Sequence, residues 1–152
     1  MSVFRLQIDI TGQEVSRQKL FKLENRVKDF TPVFKEIESG FEVFSEKVFA
    51  SGGAVIRAFA PLTERYRIWK EKHYPGQPIL TASGRLRASL TGTSPDTITK
   101  IEPLVLTRGT SVPYSGYLQA GTSRMVKRPP IRLNKEFWDW CVMKLDTYIR
   151  SF

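Results

Sequence analysis

The stretch Thr31-Pro32-Val33-Phe34-Lys35-Glu36-Ile37-Glu38-Ser39-Gly40-Phe41-Glu42-Val43-Phe44-Ser45-Glu46-Lys47-Val48-Phe49-Ala50-Ser51-Gly52-Gly53 decides the fold. Thr31 reads as an N-cap and Pro32 as the first helical residue, where a missing N–H removes no helical bond. Phe34, Ile37, Phe41, Phe44 and Val48 recur at helical spacing, so one face of a long helix must be covered by other elements. Gly52 and Gly53 end the run, because glycine adopts the left-handed backbone that closes a helix. The same stretch carries Glu38, Glu42 and Glu46 at i, i+4 spacing, where like charges repel by about 0.2–0.5 kcal/mol per pair. A cation from elsewhere is expected to neutralise them.

Working toward the N-terminus, Leu20, Leu23, Val27 and Phe30 line one face of a helix over 14–29, with Lys19, Lys22, Arg26 and Lys28 in water. Before it, Phe4, Leu6, Ile8 and Ile10 alternate with polar residues and predict a half-buried strand that stops near Gly12. In the other direction, Pro61 and Thr63 open a short helix carrying Tyr66, Trp69 and His73 on one side, which Pro75 and Gly76 end. Residues 83–91 suit one or two helical turns with Leu86 and Leu90 inward and Arg85 and Arg87 outward. Thr97–Glu102 and Leu104–Arg108 alternate as paired strands, and 113–119 suits another helical turn. Residues 122–133 form an extended basic arm, since Pro129 and Pro130 forbid helix. Asn134 then caps a last helix whose apolar residues, from Phe137 to Ile149, spread wider than one core-facing stripe, so part of it is expected to pack on another molecule. The predicted architecture is α+β. A small antiparallel sheet, with the first strand added to a later hairpin, packs with about four helices in a single domain over 1–152.

Composition bounds the function. At 152 residues and 41% hydrophobic, the chain is long enough for one core. No apolar run approaches the roughly 20 residues of a membrane span, and the start lacks a signal-peptide pattern, so synthesis in the cytoplasm is expected. The single cysteine, Cys141, sits among apolar neighbours as a buried thiol. The net charge of +9 is regional: residues 1–50 hold eight bases and eight acids, whereas 103–135 hold no acid at all. Such a region suits an anionic partner, nucleic acid or an acidic protein surface, with a merely solvated basic loop as the alternative.

Catalytic patterns are missing. His73 is the only histidine and has no partner for a hydrolytic triad, and one Cys with one His does not supply the usual zinc set. Gly116 and Gly121 have P-loop spacing, but Thr122 stands where the lysine belongs. Glu36 and Glu38 read as a solvated helix face rather than a general acid and base. No catalytic residue, metal, cofactor or small-molecule substrate is expected. The basic arm's Arg124, Lys127, Arg128 and Arg132 match the acidic stripe Glu38, Glu42 and Glu46 in charge, which predicts a head-to-tail contact between copies that closes into a ring, while a contact within one copy or plain exposure fits the same pattern.

Several segments resemble the phage virion morphogenesis or tail-completion proteins of the Mu G-like family. They are Phe59-Ala60-Pro61-Leu62, Tyr66, Trp69-Lys70, His73-Tyr74-Pro75-Gly76, Pro78-Ile79-Leu80, Ser83-Gly84-Arg85-Leu86-Arg87-Ala88-Ser89-Leu90, and Val112-Pro113-Tyr114-Ser115-Gly116-Tyr117-Leu118-Gln119-Ala120-Gly121-Thr122. Phe30-Thr31-Pro32 fits as well. Phe59 stands where tryptophan is common, and Arg128-Pro129-Pro130-Ile131 replaces an Arg-Pro-aromatic sequence. The resemblance implies a non-enzymatic neck or tail-end virion protein, made in the host cytoplasm, that multimerises, six-fold by family analogy, as the tail is completed or joined to the head. Neighbouring neck or tail proteins are its implied partners, with DNA in the lumen of such a ring. Pro61, Tyr66, Trp69, Gly84, Leu86, Tyr114 and Gly121 are the motif positions carried over. In this reading Tyr66, Trp69 and Leu80 hold the middle segment to the core. Arg85 and Arg87 suit a partner's carboxylates or DNA, and plain solvation fits them equally. The alternative reading is a basic nucleic-acid-binding module, supported by the charge and by Tyr114 and Tyr117 near basic segments.

Overall fold

The computed structural model describes residues 13–151. Over these residues the chain is α+β, with six helices and one antiparallel hairpin. The helices are α1 (Gln13–Lys28), α2 (Thr31–Ala50), α3 (Glu64–His73), α4 (Arg85–Leu90), α5 (Ser115–Ala120) and α6 (Lys135–Arg150). The strands are β1 (Thr97–Glu102) and β2 (Val105–Thr110), paired from Thr97 with Thr110 to Glu102 with Val105. The predicted strand through Phe4, Leu6, Ile8 and Ile10 lies outside the described residues.

The long helix forms as its stripe dictates, with a shifted start. Phe30, not Thr31, is the N-cap residue, and no side chain of its own caps the turn. Asp29 supplies the acceptor instead, its Oδ1 taking the Thr31 N–H at 2.8 Å. A carboxylate two residues earlier does this better than a Thr hydroxyl because it brings negative charge to the positive end of the helix. Phe30 N–H donates to Pro103 O at 2.7 Å, tying the α1–α2 junction to the tip of the hairpin. At the far end Gly53, at φ 87°, returns its N–H to Val48 O at 2.8 Å.

The buried face of α2 comprises Val33, Ile37, Phe41, Ser45, Val48 and Phe49, a slight rotation from the predicted stripe that leaves Phe34 and Phe44 at its margin. Two clusters cover it. Phe41 and Phe49 join Leu86 and Leu90 of α4 and Val112, while Val33 and Ile37 join Cys141 of α6. Phe137 packs against both and unites them. At the α2–α6 crossing the Trp140 ring lies on Gly40, where any Cβ would overlap it. Burial raises the Cys141 thiol pKa, consistent with an inert core group. α6 begins as predicted, with Asn134 Oδ1 accepting the Phe137 N–H at 2.8 Å. No helix among the described residues is long and apolar enough to cross a membrane.

Candidate docking site

The acidic stripe of α2 is neutralised within the chain. Arg108 of β2 is on the same strand face as Leu106, an otherwise apolar position, and its side chain is 6% exposed. It donates to Glu42 at 2.8 Å and to Thr99 Oγ1, lies 3.8 Å from Glu38, and stacks 5.8 Å from the Phe41 ring centroid. Arg87 of α4 holds Glu46 through both carboxylate oxygens, with Nε at 2.9 Å. This hydrogen bonding by Arg87 lowers the Glu46 pKa. Arg85 likewise grips Asp96 at 2.6 and 2.9 Å, and that contact depresses the Asp96 carboxyl. The stripe thus has countercharges from its own chain, Arg108 and Arg87, because the hairpin and α4 pack over it; the basic arm, expected from its charge to meet the stripe, makes no ion pair with it among the described residues. Arg85 and Arg87 face outward as predicted, Arg85 exposed and Arg87 partly so, and each also holds a carboxylate of its own chain.

The basic arm is docked on its own chain. Thr122 and Met125 form an isolated bridge, and Arg128 N–H donates to Leu118 O at 2.8 Å. The Arg128 side chain is buried, giving hydrogen bonds of 2.6 Å each to the carbonyls of Ala60 and Pro61. Gln119 clamps the backbone of Ile131 from the other side, at 2.8 and 3.3 Å. Arg124, Lys127 and Arg132 have no acidic partner among the described residues.

Between the arm, α3 and α4 lies a groove of about 560 Å³. Its walls are aliphatic and aromatic, with Leu62, Tyr66, Leu80, Tyr114, Met125 and Val126 prominent, and Lys70, Arg85, Arg124 and Arg128 reach it. No carboxylate lines it among the described residues. Five of the family-motif positions, Pro61, Tyr66, Gly84, Leu86 and Tyr114, form this wall although they span more than fifty residues of sequence. The remaining two support it. Trp69 stacks on Tyr66 with centroids 5.5 Å apart, and Gly121, at φ 79°, brings the chain so close to Lys127 that a Cβ would sit 3.0 Å from its backbone nitrogen.

The groove's floor carries local strain. Leu80 has φ 67°, unusual for a residue with a γ-branched side chain, and packing against the Leu86 cluster offsets the cost. The next residue, Thr81, is 4% exposed, and its Oγ1 has no hydrogen-bond partner among the described residues. Lys70, 5% exposed, spends its ammonium on the carbonyls of Gln77, at 2.8 Å, and Pro78; burial lowers its pKa. This lysine, rather than the predicted Tyr66 and Trp69, anchors the middle segment, since both aromatic rings are nearly half exposed.

Sequence reasoning missed Lys70, Thr81, Asp96 and Arg108. Arg108 had a signal, because Leu104, Leu106 and Arg108 alternate and place a cation on the apolar face of a strand. Lys70 had none, since a lysine on a polar helix ordinarily faces water. His73 closes α3, its Nδ1 2.7 Å from Trp69 O, and no group of three or more His, Cys, Asp or Glu among the described residues is arranged to hold a metal. In comparison with known proteins the chain matches no family model, no curated protein and no solved structure.

Proposed function

We propose that this chain is a structural protein of a phage-type particle, working as a multimer at the neck or tail end to complete the tail or join head to tail. The observation that carries the reading is the convergence of the motif residues. Positions 61, 66, 84, 86 and 114 resemble the tail-completion family separately in sequence, and the fold gathers them around one groove. The groove they line is shaped for docking. It has apolar walls, a cationic lining and no nucleophile paired with a base.

The particle supplies the test. Electron microscopy of intact particles is expected to place the chain at the head–tail junction or tail end in a closed ring. Particles made without it are expected to show unjoined heads and tails or tails with unfinished ends. Complete, infectious particles lacking the chain would refute the proposal.

A second reading, nucleic-acid binding, draws on the three arm cations without acidic partners and the net charge of +9. It predicts affinity for duplex or single-stranded DNA that falls steeply with salt as counterions are released. Protein docking through the apolar groove predicts a shallow salt dependence.

A further inference from the structure

We infer that the groove between α3, α4 and the 122–128 segment is a receptor for an extended peptide segment of a partner protein, one that presents an apolar side chain beside a carboxylate. The partner's being a protein rests on the assembly reading above; the peptide chemistry rests on the groove alone. Three independent features select it. First, the walls are dominated by Leu62, Leu80, Met125 and Val126, which gain from burying an aliphatic or aromatic side chain and gain nothing from a sugar-phosphate backbone. Second, the lining is one-signed. Arg85 is paired with Asp96, and Lys70 and Arg128 bond only to carbonyls, which satisfy their donors without cancelling their charge. Arg124 has neither acid nor carbonyl on its guanidinium among the described residues, so its fork is open to a carboxylate.

Third, Thr81 Oγ1 is buried in the groove wall with no partner among the described residues. A buried hydroxyl left unpaired is costly, and native structures retain such groups where a ligand or water completes them. A peptide carbonyl or carboxylate would accept its proton. The cavity volume, about 560 Å³, falls within the roughly 300–1,000 Å³ of ligand-sized sites and suits an extended segment of a few residues. α1 of another copy is a poorer occupant, because its five bases against two acids would meet the groove's own cations.

The experiment is backbone amide chemical-shift mapping on the full chain with defined probes. The first is acetyl-Leu-Asp-Phe-Asp-amide, the second the same peptide with Asn for Asp, and the third an oligothymidylate. The acidic peptide is expected to shift the amides of Thr81, Leu86 and Arg124, with the Asn peptide binding about tenfold more weakly for want of the charge-assisted pair. Arg124→Gln should bring the acidic peptide down to the Asn peptide's affinity and leave the Asn peptide unchanged. Thr81→Val, which removes an unpartnered hydroxyl and so should keep the melting temperature, weakens both. Equal binding of the two peptides, an inert Arg124→Gln, or no shifts at these amides would overturn the inference. Oligothymidylate shifting the same amides more strongly would overturn it in favour of nucleic acid. Peptide binding in a chain that particles do not contain would leave the groove's chemistry standing and remove the virion reading. A chain found in a ring that binds no peptide would do the reverse.

Discussion

Glu42 shows how one residue's placement depends on a second residue that makes no bond to it. Its carboxylate reaches Arg108 across the surface of Gly92, whose φ of 79° and missing side chain leave the passage open; a Cβ there would overlap Glu42 Oε1. Arg108 needs that carboxylate because its guanidinium is almost fully buried and its Nε lacks a partner among the described residues. A buried charge stripped of its counter-ion loses far more than an exposed pair is worth. Gly92→Ala is therefore expected to destabilise by about 2–3 kcal/mol, part from the left-handed backbone, which costs an alanine about 1–2 kcal/mol, and the rest from displacing Glu42. Urea unfolding followed by circular dichroism measures it. In a Glu42→Ala background the same substitution should cost only the backbone share, about 1–2 kcal/mol. Equal costs in both backgrounds would show that Glu42 and Gly92 are not coupled.

Among the elements, α6 starts at a residue with one local and one tertiary duty. Asn134 Oδ1 caps the Phe137 N–H at 2.8 Å, while Nδ2 donates to Val55 O at 3.0 Å, fastening the helix to the loop after α2. Asn134→Ala removes both and is expected to cost about 1–2 kcal/mol, whereas Asn134→Ser keeps the cap and should recover about half. Chemical denaturation of the two variants checks the order; a serine variant no better than alanine would assign the whole effect to the Val55 tether. Elements punctuated this clearly were legible in sequence. Thr63, Asn134 and the Gly52-Gly53 pair mark real ends, and the α4 turn buries Leu86 and Leu90 as their spacing predicts. What the sequence withheld was pairing across distance. Glu46 finds Arg87, and Glu42 finds Arg108, only once the hairpin and α4 have folded over α2. Charge complementarity alone pointed equally well to the arm. The groove was hidden for the same reason: its motif positions could be read one by one, but their common surface depends on Arg128 threading between the carbonyls of Ala60 and Pro61.

On the scale of the whole molecule, α1 leaves apolar side chains uncovered. This helix packs along α6, with Arg26 donating to Tyr148 O at 2.5 Å, yet Val15, Leu20 and Phe21 remain more than half exposed. Trp138, Val142 and Met143 of α6 are exposed to a similar degree. A helix of sixteen residues with so little of its own surface buried is marginal in water, because its nucleation cost is repaid mainly by tertiary packing. We propose that these exposed apolar residues of α1 and α6 take part in the contact between copies. An apolar contact and a charged one respond oppositely to salt. Association through α1 and α6 should persist or strengthen at high salt, whereas association through Arg124, Lys127 and Arg132 should weaken as the Debye length shrinks to about 3 Å at 1 M. Sedimentation velocity on the purified chain across that range distinguishes them. The double variant Leu20→Ser/Phe21→Ser, which leaves the α2 core untouched, is expected to lower the oligomeric mass while the thermal transition of the core is retained. An unchanged mass in that variant, with dissociation of the parent at high salt, would move the subunit contact from the helices to the basic arm.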